Sequence, residues 1–168
     1  MNWSSLARFR VSLGFLCAAV AFALARPTTK TLLIGLAVAL PGELLRVWAS
    51  GHIDKGREIT TSGPYRFVRH PLYLGSAILG AGFIVAAWNV IVGVLVGAYL
   101  ALTMAAAIRT EEATLDVRFS GAYSDYRAGR TLPAQQRFSW ARVAQNREYR
   151  AVVGFVLGFG LLALRGYL

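Results

Sequence analysis

A chain of 168 residues that is 56% hydrophobic and 15% charged is too apolar for a water-soluble domain, in which about a quarter of residues carry charge. The formal net charge of +10 does not mark a nucleic-acid binder, because the arginines lie between apolar runs rather than along one solvated face. One cysteine, Cys17, and two distant histidines, His52 and His70, exclude an internal disulfide and offer no local metal-ligand spacing.

What remains is an all-α integral membrane protein, read as one transmembrane domain over residues 1–168, since about 20 apolar residues cross a bilayer core. Arg8 and Arg10 precede the first apolar segment, 11–25. It ends in Ala23-Leu24-Ala25, which has the form of a leader cleavage site; the segment is read here as a transmembrane helix. The second span, 31–50, contains Pro41, expected to kink it. Glu43 and Arg46 stand three residues apart in that span and share a helix face. Ionisable groups inside a span pair with each other or face the bundle interior or water, so an internal ion pair and a ligand contact both fit.

Residues 51–70 are polar and rich in Gly, Thr and Arg, and read as a loop with little regular structure. Pro71 suits the first turn of a helix, and 72–88 forms a third span. Asn89 makes a tight turn into a fourth, 90–108, whose Gly93 and Gly97 form a GxxxG pair expected to let helices approach closely. Residues 109–130 are polar but periodic: Glu111, Leu115 and Phe119 fall on one helical stripe, which Gly121 is expected to end. Residues 131–150 are basic, with Phe138 and Trp140, and suit a segment lying on the membrane surface. The last apolar run, 151–164, is short; Arg150 and Arg165 can snorkel from its ends, giving a fifth helix.

This topology puts fourteen basic residues on the side of the N-terminus and three, Arg26, Lys30 and Arg165, on the other, with Arg46 inside its span. The positive-inside rule then assigns the N-terminus and the loops 51–70 and 109–150 to the cytoplasm. Because spans three and four are antiparallel neighbours, His70 at the start of one and Glu111 at the end of the other should lie at similar depth. A site there combines carboxylates, an imidazole, arginines and aromatic rings at the edge of a lipid-accessible bundle. It suits a charged, water-soluble cofactor meeting a lipid-like substrate.

"GPYRFVRHPLYLG" followed by "EEATLDVRFSGAYSDY" resembles the isoprenylcysteine carboxyl methyltransferase and phospholipid N-methyltransferase superfamily of integral membrane methyltransferases. The shared pattern is carried by Arg69, His70, Pro71, Tyr73 and Gly75, then by Glu111, Glu112, Leu115, Phe119, Tyr123 and Tyr126. "GELLRVWASGHI" resembles the segment that bacterial members carry before the loop. Ser120 departs from the pattern's glycine, with Gly121 just after it. The resemblance implies a non-Rossmann S-adenosyl-L-methionine site held by Arg69, His70, Pro71, Tyr73, Gly75, Glu111 and Glu112 at the inner face of a bacterial inner membrane. Arg66 and Arg109 are the candidate catalytic cations, balancing a negative acceptor or the cofactor's carboxylate.

Adjacent residues on a helix point about 100° apart, so one of the two glutamates is expected to face the cofactor, and the stripe shared with Leu115 and Phe119 favours Glu111. An ion pair with Arg66 or Arg69 is the other role open to it. The acceptor is an amphiphile. The arginines favour an anionic one, such as the carboxylate of a lipidated cysteine. A phosphatidylethanolamine-type amine is the alternative and would need a carboxylate or imidazole base. A non-enzymatic protein that binds anionic lipid is the reading from a different class.

Overall fold

The computed structural model describes residues 3–54, 59–119, 122–130 and 136–167, with side chains from residue 12 onward. Among the described residues seven α-helices follow one another: α1 Trp3–Leu24, α2 Thr29–Ser50, α3 Pro71–Ala87, α4 Val90–Arg118, α5 Ala122–Arg127, α6 Trp140–Gln145 and α7 Tyr149–Tyr167, with a 3₁₀ turn at Gly63–Arg66. Among the described residues there is no strand, and the all-α membrane class stands.

Among the described residues three helices, α2, α4 and α7, are long and apolar enough to cross a bilayer; five spans were expected. α3, with 17 residues, reaches about 25 Å at 1.5 Å per residue against a hydrocarbon core of about 30 Å; α1 is as long as α2, 22 residues each, and its side chains are described from Ser12 onward. α4 continues without a break from the apolar stretch to Arg118, so the helical stripe expected after residue 109 belongs to the same helix as the span and carries Glu111 and Glu112. Gly121, expected to end this helix, lies outside the described residues.

α2 begins with a reciprocal cap: Thr31 N donates to Thr28 Oγ1 at 3.2 Å, and Thr28 N donates to Thr31 Oγ1 at 2.9 Å. It then runs through Pro41 to Ser50 as one helix, although proline cannot donate to the carbonyl one turn back. Its neighbour is α3, and the two meet almost backbone to backbone. A Cβ on Gly82 would lie 2.5 Å from both the Gly35 carbonyl oxygen and Ala39 Cβ, and one on Gly42 would lie 2.6 Å from the Gly75 carbonyl oxygen. Small residues permit that approach, and dispersion contacts hold it where lipid gives no hydrophobic drive. The GxxxG pair on α4 divides: a Cβ on Gly93 would lie 3.3 Å from Ile84 Cγ2 of α3, whereas nothing among the described residues lies within 4 Å of one built on Gly97.

One end of the bundle is sealed by polar contacts to helix-terminal carbonyls. Arg26 N donates to Ala87 O at 2.8 Å, Asn89 Nδ2 to Leu24 O at 2.9 Å, and Arg165 Nη2 to Ala23 O at 3.1 Å. Trp88 takes a left-handed conformation (φ 47°), and Asn89 Oδ1 caps α4 by accepting from Ile91 N at 2.9 Å. Arg26, Lys30 and Arg165, assigned to the outer side, belong to this end. The C-termini of α2 and α4 and the N-termini of α3 and α7 meet at the opposite, polar end.

The α2–α3 contact is testable by size. Gly82→Val should destabilise the detergent-solubilised protein by about 1–3 kcal/mol through overpacking. Gly97→Ala, made where nothing among the described residues approaches, should stay within about 0.5 kcal/mol of the parent. Thermal unfolding in one detergent measures both, and equal effects would contradict the assigned contact.

Candidate functional site

The polar end is built outward from the last turn of α2. His52 is buried there, its Nδ1 within 3.0 Å of Ser62 Oγ. Its ring sits between Trp48 and Phe138, with centroids 6.4 and 6.2 Å away. Burial, and next the nearby Arg142 guanidinium, hold its pKa below the ordinary histidine value. These contacts lay the backbone of residues 60–62 against α2 and lead into the 3₁₀ turn, which Gly63 enters with φ +57°. A side chain on Gly63 would strike the His52 ring. The turn buries Tyr65 and delivers Arg69 and His70 to the start of α3.

Across from His70, the end of α4 and the short α5 present a second group. One oxygen of Glu112, Oε1, gathers three partners: His70 Nε2 at 3.1 Å, the donating Tyr123 hydroxyl at 3.2 Å and Arg69 Nη1 at 3.7 Å. A carboxylate at that distance fixes the imidazole's tautomer and plane. The Tyr126 hydroxyl donates to the Tyr65 carbonyl at 2.8 Å, so α5 folds back and staples the 3₁₀ turn. Burial raises the pKa of Tyr65, Tyr123 and Tyr126 above the ordinary tyrosine value. The Glu111 carboxylate adds to this at Tyr65, and the Glu112 carboxylate adds to it at Tyr123.

Between these groups lies a cavity of about 470 Å³, within the size range of small-molecule sites, about 300–1,000 Å³. Arg69, His70, Pro71, Tyr73 and Glu111 line it, and the His70 and Tyr73 rings stand 5.8 Å apart. Two residues expected at the cofactor do not line it. Gly75 is packed against α2, where a Cβ would lie 2.6 Å from Arg46 Cγ, so it serves the helix contact. Glu112 stands behind His70 rather than on the wall. The division between adjacent glutamates follows the angular step of the helix: Glu111 turns to the cavity and Glu112 to the histidine. The ion pair considered for Glu111 with Arg69 is made by Glu112 instead.

Arg66 and Arg109, expected as catalytic cations, also lie off the wall. Both are exposed, and the Arg66 guanidinium rests 5.7 Å over the Phe67 ring. The arginines that do line the cavity, besides Arg69, are Arg46, Arg147 and Arg150. Arg46 is held by Glu148 at 2.7 Å and approached by Glu43 at 3.8 Å, and it donates to Ser76 Oγ. The pairing with Glu43 was one of the two roles its spacing allowed, and Arg46 also lines the cavity. Asn146 and Glu148 complete this side together with Tyr65. The signal for Arg46 was present in the sequence as a charge inside a span, whereas residues 146–150 looked like surface residues only.

The raised phenol pKa values carry a pH dependence. The fold holds these protons beyond the unfolded value of about 10, so stability is fully present below that pH and is lost as pH rises above it. Thermal unfolding in detergent should show a melting temperature that falls above about pH 10, with a shallower fall in Tyr123→Phe. A flat profile, or one identical in the variant, would contradict the burial of these phenols.

Residues 9–122, well over half of the chain, match the family described as phospholipid methyltransferase. Neither the curated proteins nor the solved structures give a match. The matched stretch includes Arg46, the Arg69-His70-Pro71 segment and both glutamates, and it stops at the start of α5. Membrane helices, the paired motifs in order and a polar cavity at their junction agree with that match: this chain belongs to the phospholipid methyltransferase family.

Proposed function

We propose that the protein is an S-adenosyl-L-methionine-dependent methyltransferase that modifies a lipid-like acceptor at the cytoplasmic face of the membrane, with carboxylate O-methylation as its reaction. The observation that carries this reading is the composition of the cavity wall: Arg46, Arg69, Arg147 and Arg150 against Glu111 and Glu148. Arg46 is balanced by Glu43 and Glu148, and Arg69 by Glu112; Arg147 and Arg150, which form no salt bridge among the described residues, are the guanidiniums that attract a carboxylate and oppose an ammonium. The wall also fits the cofactor. Tyr65 Oη is buried without a hydrogen-bond partner among the described residues, aromatic rings stand beside it, and carboxylate and guanidinium groups answer a ligand that carries both charges.

When bound, the cofactor supplies an electrophilic methyl group on a sulfonium. The residues of this chain bind, orient and exclude water, which accounts for much of what such a displacement requires. Glu111 offers a carboxylate for a ribose diol or an ammonium. His70, fixed by Glu112, presents one ring edge in a constant orientation. Tyr73 covers His70, and Pro71 closes the floor where α3 begins. A carboxylate acceptor is already ionised at neutral pH, so no base is needed and no covalent nucleophile is invoked.

Glu111 on the wall and the family match support a second reading, N-methylation of a phospholipid amine. There Glu111 would take the acceptor's proton.

Two measurements follow. Calorimetric titration of the solubilised protein with S-adenosylmethionine should give binding that His70→Ala and Glu111→Ala each weaken by about tenfold or more, the worth of one charge-assisted hydrogen bond, with little change in melting temperature. No binding by the parent chain would contradict the enzyme reading and favour a lipid-binding protein. Incubation with methyl-labelled cofactor and a bacterial lipid extract should give label released by mild base, as from an ester. Base-stable label on a headgroup would move the assignment to the amine.

A further inference from the structure

The cavity has a wall that the shared family region does not supply. Asn146, Arg147, Glu148 and Arg150 line it, yet the family match ends at residue 122. This turn between α6 and α7 is fastened rather than loose. Asn146 Nδ2 donates to the carbonyls of Ser50 at 3.0 Å and Ile53 at 3.1 Å, and the buried Glu148 carboxylate grips Arg46 at 2.7 Å. Between those anchors Arg147 adopts φ +57°, a left-handed backbone that a side chain of its size seldom takes and that is kept only where the surroundings enforce it.

We propose that this turn is the head-group subsite of the acceptor, with Arg147 and Arg150 binding a carboxylate or phosphate oxyanion. Neither guanidinium forms a salt bridge among the described residues, so both remain available to a ligand. The space they face holds a second sign of a polar occupant. Tyr65 is 7% exposed, lines the same cavity, and its hydroxyl has no hydrogen-bond partner among the described residues. Beyond Arg150, α7 presents Val153, Val156 and Leu157, each more than half exposed, an apolar track for the acyl chain of the same molecule. The inference rests on the methyltransferase reading for the word acceptor, but the oxyanion site itself does not.

The test uses the full chain in detergent and native mass spectrometry with three lipids: oleate, dioleoyl phosphatidate and dioleoyl phosphatidylcholine. The parent should retain oleate, phosphatidate or both in preference to phosphatidylcholine; oleate alone assigns a carboxylate head and phosphatidate alone a phosphate. Arg147→Gln with Arg150→Gln should lower that retention by about tenfold, and Arg118→Gln, away from the cavity, should leave it unchanged. Arg147→Gly supplies a folded check, because glycine suits the left-handed backbone while removing the guanidinium: it should melt no lower than the parent and still lose retention. Equal retention in the double variant, equal loss in Arg118→Gln, or equal binding of all three lipids overturns the subsite. A parent that binds no S-adenosylmethionine instead defeats the methyltransferase reading and leaves the oxyanion site to these lipid measurements.

Discussion

An arginine held between two buried carboxylates joins the polar end of this protein into one body. Arg46 projects from the last turns of α2, with Glu148 at 2.7 Å and Glu43 at 3.8 Å. Glu43 and Glu148 are 4% and 6% exposed, so neither could carry its charge without a cation nearby. Removing one member of such a pair typically costs about 3–5 kcal/mol, because a buried charge is left alone. The contact spans about a hundred residues of chain and ties the α6–α7 turn to α2. Ser76 on α3, which also receives a hydrogen bond from Arg46, brings the third helix into the same junction. The close approach at Gly42 and Gly75 makes this reach possible, since a larger residue at Gly75 would occupy the path of the Arg46 side chain.

Around that junction the titratable groups divide into those that face the cavity and those that hold the first set in place. His70 and Glu111 face it; Glu112, Tyr123 and Tyr126 stand behind, holding the imidazole and the 3₁₀ turn. Such an arrangement fixes the orientation of the groups that line the cavity. The opposite end of the bundle works differently. Its hydrogen bonds run to helix-terminal carbonyls and complete the backbone pairing that a membrane environment demands.

Much of this was readable from the chain alone. The apolar runs gave the helical class, and the antiparallel relation of α3 and α4 brought the regions around His70 and Glu111 to one end. The angular step between Glu111 and Glu112 anticipated that they would part company. Other features depended on contacts that local pattern does not encode. Gly93 and Gly97 offered the visible GxxxG motif, while the intimate contact uses Gly35, Ala39 and Gly42 on α2, whose spacing has meaning only once α3 is placed opposite. Arg66 and Arg109 sat beside the motifs in sequence, yet neither lines the cavity. Arg147 and Arg150 looked like ordinary inner-leaflet arginines, because the anchors at Asn146 and Glu148 reach back to α2.

The dependence of the site on the buried arginine is tested most directly by a double-mutant cycle between Arg46→Met and Glu148→Gln, read by thermal unfolding in detergent. If Arg46 and Glu148 form the pair that closes the α6–α7 turn onto α2, each single change destabilises and the double change costs less than the sum, with a coupling of about 0.5–3 kcal/mol. Additive losses, with no coupling beyond error, would show that the turn is held by something else and would contradict the account.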